Sequence, residues 1–113
     1  MLIIVSGVQM LPSNRFVNLE HWPKAELLRL VDLIDKYHKS GVLFVSGDVH
    51  HAQFLQMNCG GFKIREITTS GLSHTLDNNL FGAARQFLKF ITPRTFYYSE
   101  PMIEYNYANF RFE

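Results

Sequence analysis

The stretch Val42-Leu43-Phe44-Val45-Ser46-Gly47-Asp48-Val49-His50-His51 decides how the chain reads. Val42 to Val45 are an unbroken apolar run of strand length, the pattern of a short buried strand. Ser46 and Gly47 end it. Asp48, His50 and His51 follow, three groups that bind metal or move protons. An α/β sheet commonly builds its site in this way, with polar groups delivered where an apolar strand ends.

Working outward, the same pattern recurs twice. Leu2–Val5 is an apolar run closed by Ser6-Gly7, and residues 62–69 run into Ser70-Gly71, followed by Leu72-Ser73-His74. In the latter, Phe62 and Ile64 fall on one side of a strand and Lys63 and Arg65 on the other. Between the first two strands lies the clearest helix, residues 24–39. Leu27, Leu30, Val31, Ile34 and His38 recur at helical spacing, and Leu28 widens the stripe. Asp32–Lys36 and Asp35–Lys39 are i,i+4 pairs with the acid first. Pro23 suits the first helical position and Gly41 the stop. Strand 2–5, helix and strand 42–45 thus make a β–loop–α–β crossover, right-handed by the usual rule, with strand ends lining one crevice.

The remaining segments are less patterned. Residues 52–57 fit either a helical turn or an extended stretch, and Asn58-Cys59-Gly60-Gly61 reads as a turn. Residues 80–91 read as a second helix, with Leu80, Ala83, Ala84, Phe87, Leu88 and Ile91 on one side and Pro93 ending it. Residues 95–113 are rich in aromatics. Ile103, Tyr105 and Tyr107 share one parity, while Ala108, Phe110 and Phe112 take the other, which suggests a bulge or burial on two sides. These aromatics read as core or sheet cover, because basic residues do not interleave with them as on a stacking platform.

The chain has 113 residues, enough for one domain and a modest core. Ten Phe and five Tyr need a core or a partner surface. A net charge of +1 without a basic tract argues against binding nucleic acid. The single cysteine, Cys59, excludes an internal disulfide framework and leaves the compartment open. No apolar stretch approaches the length of a membrane span. There is no P-loop, no dinucleotide fingerprint and no nucleophile elbow.

Asp48 and His50 are the chief candidate metal ligands. On an extended chain they would share one face, with backbones roughly 6.5–7 Å apart. Carboxylate oxygen and imidazole nitrogen suit zinc, manganese or iron, but two ligands do not make a site. The alternative is that Asp48 caps a turn and the histidines lie on the surface. His51 would point away from His50, as a packing group or a hydrogen-bond support for a ligand. His74 could meet the 48–51 loop, to touch substrate, support a ligand or pack the loop. Glu20 and His21 could pair as acid and base, but Trp22-Pro23 beside them favours a structural anchor. His38 reads as a packed or boundary residue of the helix.

Ser46-Gly47-Asp48-Val49-His50-His51-Ala52 resembles the last metal-binding motif of the PhoD-like alkaline phosphatases, in the calcineurin-like metallophosphoesterase superfamily. That branch carries Gly-Asp-x-His where the superfamily usually has Gly-His-x-His. Two further segments match in order. Glu20-His21-Trp22-Pro23 and the helix after it look like the family's Trp-containing loop. Ile67-Thr68-Thr69-Ser70-Gly71-Leu72-Ser73-His74 looks like its Leu-Thr-Ser-Ser-Gly-Leu-Thr-His segment. Asn106-Tyr107-Ala108-Asn109-Phe110-Arg111-Phe112 is similar to its closing Asn-Phe-Gly strand.

The resemblance implies an α/β fold in which residues 1–113 form the C-terminal segment of an α/β/β/α sandwich. It implies hydrolysis of phosphate mono- or diesters by a pair of divalent or trivalent metal ions, iron, manganese, zinc or calcium. Asp48 and His50 would be metal ligands, and His51 and His74 catalytic residues that orient ligands or meet the phosphate. The family's earlier motifs, Asp-x-His, Gly-Asp and Gly-Asn-His-Asp/Glu, do not occur in these residues. A missing N-terminal half, or self-association, is therefore expected, along with little or no turnover by this chain alone. Two other expectations stand beside it. One is a non-catalytic binding or scaffolding remnant of the same fold. The other is a small binder using its aromatic C-terminus.

Overall fold

The computed structural model describes residues 1–11, 22–38, 41–75, 90 and 99–113. It is a mixed α/β fold: strand β1 (Leu2–Val5), helix α1 (Lys24–Tyr37), then strands β2 (Val42–Ser46), β3 (Ala52–Cys59) and β4 (Phe62–Thr69). The strands form one sheet in the order β1-β2-β4-β3. β1, β2 and β4 run parallel, and β3 is antiparallel to β4. The three runs that end in Ser-Gly are therefore the three parallel strands, and their carboxyl ends lie along one edge as expected. Among the described residues no helix is long and apolar enough to cross a membrane.

One face of the sheet is the core. Alternation places Val42 and Phe44 of β2, Leu55 of β3, and Phe62 and Ile64 of β4 on it, where they are buried. Leu27 and Ile34 of α1 pack there with Met10 and Leu11 of the segment that follows β1. Leu30 and Val31 are half-buried against the same cluster. The expected stripe is narrower than its spacing suggests: Leu28 is exposed, and so is His38, which caps α1 by donating its N–H to the Ile34 carbonyl at 2.8 Å. Pro23 stands one position before the helix, as its N-cap. The helix ends at Tyr37, before Gly41, whose φ of 61° turns the chain into β2. Arg29 pairs with Glu26 in the first turns, and Lys36 lies over the Tyr37 ring instead of pairing with Asp32. Lys39 lies outside the described residues.

The ambiguity over residues 52–57 resolves to a strand that extends to Cys59. Only Gly60 and Gly61 form the hairpin turn, with Gly60 at a φ of 68° and Cys59 paired to Phe62. Asn58 and Cys59 are thus strand residues, not turn residues. Their own composition is poor for a strand, but pairing with β4 overrides it. The second helix expected over residues 80–91 lies outside the described residues except for Phe90, as do Glu20 and His21.

The C-terminal segment is not a long strand. It touches the outer edge of β3 through a short bridge in which Ala52 and Met102 exchange two 2.8 Å backbone hydrogen bonds. It then turns under the end of β4. Ile103 is buried, whereas Tyr105 and Tyr107 are 65% and 80% exposed, so these two tyrosines are not the sheet cover expected of them. What holds the segment is Asn106. Its side-chain oxygen accepts from Thr69 Oγ1 at 3.1 Å and from the Gly71 N–H at 3.2 Å, and its amide donates to the Glu104 carbonyl at 2.8 Å. Its own N–H donates to the Gly71 carbonyl at 3.1 Å.

A Cβ at Gly71 would fall onto the Asn106 side-chain amide. Gly71→Ala should therefore eject the C-terminal segment from the end of β4 and cost about 2–4 kcal/mol, as expected when overpacking is combined with the loss of buried hydrogen bonds. Urea unfolding checks the loss, and Asn106→Ala should cost a comparable amount. A Gly71→Ala variant as stable as the parent would mean that this clamp contributes nothing.

Candidate functional site

The carboxyl edge of the three parallel strands gathers the residues that carry chemistry. β2 ends at Ser46, and Gly47 packs closely against its surroundings: a Cβ there would lie 3.7 Å from the Gly7 carbonyl oxygen and 3.7 Å from the Ser70 Cβ. The ends of β1, β2 and β4 thus meet at this glycine. From it the chain makes the short excursion Asp48-Val49-His50-His51 before turning back into β3.

That excursion is not extended. Asp48 has a φ of 71° and His50 a φ of 58°, both in the left-handed region that side chains other than glycine enter at a cost. The extended-chain geometry first drawn for this pair is therefore replaced by a tight loop with two left-handed residues. The residues after Asp48 form a bend that leads into a strand. Both Asp48 and His50 are exposed. The loop is fastened at its far side: the His50 N–H donates to Ser70 Oγ at 2.8 Å, and Ser70 Oγ also reaches the His51 carbonyl at 3.5 Å.

His74 meets this loop. Its ring lies edge-on to the His50 ring, with centroids 5.9 Å apart and planes at 82°. Its Nδ1 is 3.1 Å from Ser73 Oγ, and the residue is exposed. Asp48, His50 and His74 therefore share one open edge. His51 turns the opposite way and is 3% exposed. Its Nδ1 donates to the Val49 carbonyl at 2.9 Å, which fixes the proton on that nitrogen. Burial lowers the ring below its ordinary value of 6.5, against the hydrogen bond to the Val49 carbonyl. His51 is thus a neutral, packed imidazole. Among the described residues, no three His, Cys, Asp or Glu side chains gather closely enough to hold a metal ion.

Below the edge lies a group that sequence reading missed. Glu66 is completely buried on the core face of β4, two residues beyond Ile64. The period-2 alternation of Phe62 and Ile64 was a signal for it, since continuing it places Glu66 inward. Burial pushes its carboxyl above the ordinary value, while the Ser46 hydroxyl and the Met10 and Leu11 N–H groups draw it back. Trp22 was expected to be an anchor, and it is one: its indole N–H donates to Ser6 Oγ at 3.0 Å, tying the entry of α1 to the end of β1.

Residues held in the left-handed region gain backbone freedom when replaced by glycine. Asp48→Gly and His50→Gly should therefore leave stability unchanged or raise it by up to about 1 kcal/mol. Thermal unfolding checks this. A loss larger than about 1 kcal/mol would show that these side chains serve the fold and not a site.

Set against known proteins, the chain matches no family model, no curated protein and no solved structure.

Proposed function

We propose that this chain is part of a metal-dependent phosphate ester hydrolase of the PhoD-like kind, in which Asp48 and His50 are metal ligands. The observation that carries the proposal is the pair of left-handed residues, Asp48 and His50, exposed at the end of the central parallel strand with His74 against His50. Strain of this kind clusters at functional loops, and both side chains are exposed, outside the core. The donor chemistry fits: a carboxylate oxygen and an imidazole nitrogen suit manganese, iron or zinc. Their number does not complete a site, so further ligands from outside the described residues belong to the proposal.

Metal ions held there would supply positive charge for the phosphate and an activated water for its hydrolysis. The chain's own residues divide the supporting work. Asp48 brings negative charge to the edge. His50 brings a nitrogen on a backbone held by Ser70. His74, open beside it, is placed to meet a phosphate ester or to brace the His50 ring. His51 is buried. Its place in the proposal is to fix the turn between Val49 and β3, as a positioning residue.

The second face of the sheet supports the finer architecture, an α/β/β/α sandwich. Register carries Val5, Val45, Ile67 and Phe54 straight across all four strands, with Ile3 and Leu43 beside them. Val5 is 75% exposed, Phe54 48% and Ile3 39%. A row of aliphatic and aromatic side chains across a whole sheet is what a second sheet packs against.

Two measurements test the proposal. Titrating Mn²⁺ into the chain should broaden the His50 and His74 ring resonances selectively and saturably, with weak affinity, because few ligands are preorganised. Asp48→Ala and His50→Ala should each weaken that binding by about tenfold or more, while hydrolysis of p-nitrophenyl phosphate by the chain alone stays at or near background. Absence of saturable broadening would favour the non-catalytic remnant.

The face prediction is separate. Val5→Glu and Phe54→Lys should suppress self-association in sedimentation while changing stability by less than about 1 kcal/mol. Phe44→Ala on the opposite face should cost about 3–5 kcal/mol. Equal losses on both faces would remove the case for an unpaired inner sheet.

A further inference from the structure

The buried carboxylate of Glu66 ties the end of β2, its neighbour in the sheet, to the segment that follows β1. Glu66 Oε1 accepts from Ser46 Oγ at 2.5 Å and from the Met10 N–H at 2.8 Å, and Oε2 accepts from the Leu11 N–H at 2.7 Å. Ser46 spends its one hydroxyl proton on Glu66, so at the 2.9 Å contact between Ser46 Oγ and Thr68 Oγ1 the threonine donates. Thr68 in turn accepts from Gln9 Nε2 at 3.0 Å. The chain of donors runs Gln9, Thr68, Ser46, Glu66. All four residues are buried, the most exposed of them at 4%.

A carboxylate is an expensive filler for a core position. Its neighbours on the same face of β4, Phe62 and Ile64, are apolar, and an apolar side chain at 66 would avoid the desolvation cost. What an apolar side chain lacks is acceptors for three donors from two separate segments. One of those donors, Ser46, is the last residue of β2 and stands two residues before Asp48. The loop it leads into holds two residues in the left-handed region, and such a conformation persists only where the surroundings over-determine it. Ser70 restrains that loop from above through the His50 N–H. Ser46 restrains its root from below.

We infer that Glu66 is a positioning residue, which through Ser46 fixes the root of the Asp48–His50 loop and through Met10 and Leu11 fixes the segment leaving β1 against that same root. Its functional part rests on the cation-binding reading of Asp48 and His50; its structural part does not. Amide hydrogen exchange, followed by NMR on the metal-free chain, tests the structural part. Ser46→Ala removes the bonds of Ser46 to Glu66 and to Thr68 and leaves those of Met10 and Leu11 to Glu66 in place. The His50 N–H should then exchange about tenfold faster, while the Met10 and Leu11 N–H groups and the mid-strand Phe44 and Ile64 N–H groups stay within about a factor of two.

Glu66→Gln offers one acceptor oxygen in place of two, so the Met10, Leu11 and His50 N–H groups should all accelerate ahead of the mid-strand ones. If Glu66→Gln does not fold, Ser46→Ala alone decides. A uniform rise across the sheet in Ser46→Ala, or an unchanged His50, overturns the assignment. The functional part is read by Mn²⁺ affinity, which should fall about tenfold in Ser46→Ala. Unchanged affinity beside faster His50 exchange would leave Glu66 a structural anchor and overturn the positioning role. A parent chain that binds no Mn²⁺ would instead refute the cation-binding reading, with the exchange result still standing.

Discussion

The parallel pairing of β1, β2 and β4 is the constraint on which everything else in this molecule depends. Antiparallel neighbours would send alternate strand ends to opposite edges, and the Ser-Gly terminations would scatter. Parallel pairing collects them. It brings Gly47 against Gly7 and Ser70, sets Ser46 opposite Thr68, and brings His74 from the end of β4 to the loop at the end of β2. A crossover containing a helix is the natural way to join β1 to β2 in this arrangement, and α1 supplies it while covering one face of the sheet. The site, the core and the uncovered face are thus three results of one pairing pattern.

At the shared edge, each strand end is held by a polar group from elsewhere in the chain. Trp22 holds Ser6, Glu66 holds Ser46, and Asn106 holds Thr69 and Gly71. Parallel strand ends leave backbone and side-chain polar groups that must find partners once they are buried. Here the partners come from the helix entry, the sheet's own core face and the C-terminal segment. That distribution makes the edge rigid at its roots and open at its tip. Asp48, His50 and His74 occupy the tip, where solvent reaches them.

Period and punctuation carried most of the fold in the sequence. The strands closed by Ser-Gly are β1, β2 and β4, the first two as apolar runs and the third by alternation, and the leucine-rich stripe between the first two is α1. Strand β3 was obscured because Gln53, Gln56 and Asn58 break its apolar pattern; its identity comes from the partner strand across the hairpin. The exposure of Tyr105 and Tyr107 was hidden for a related reason. Aromatic content suggests burial, but the C-terminal segment is held by the polar side chain of Asn106, which composition does not flag. Of the site, the residue types were legible and the geometry was not. A spacing of two could not reveal that both Asp48 and His50 sit at positive φ, since residue spacing does not set the backbone angles of a loop. The encounter of His74 with the loop could be anticipated only because both follow parallel strands.

The two faces of the sheet differ in a way that bears on what the edge is for. On the core face the chain accepts the desolvation of Glu66, Thr68, Ser46 and Gln9 and satisfies each of them within itself. On the other face it leaves Val5, Ile3 and Phe54 open to water, although exposing them is unfavourable. A sheet needing only stability would have the reverse arrangement, with apolar groups inside and polar ones outside. The internal polar lacing serves the loop rooted at Ser46. Both departures from economical packing lie at or beside the same strand ends, so the edge bearing Asp48, His50 and His74 is where the physical argument for function converges.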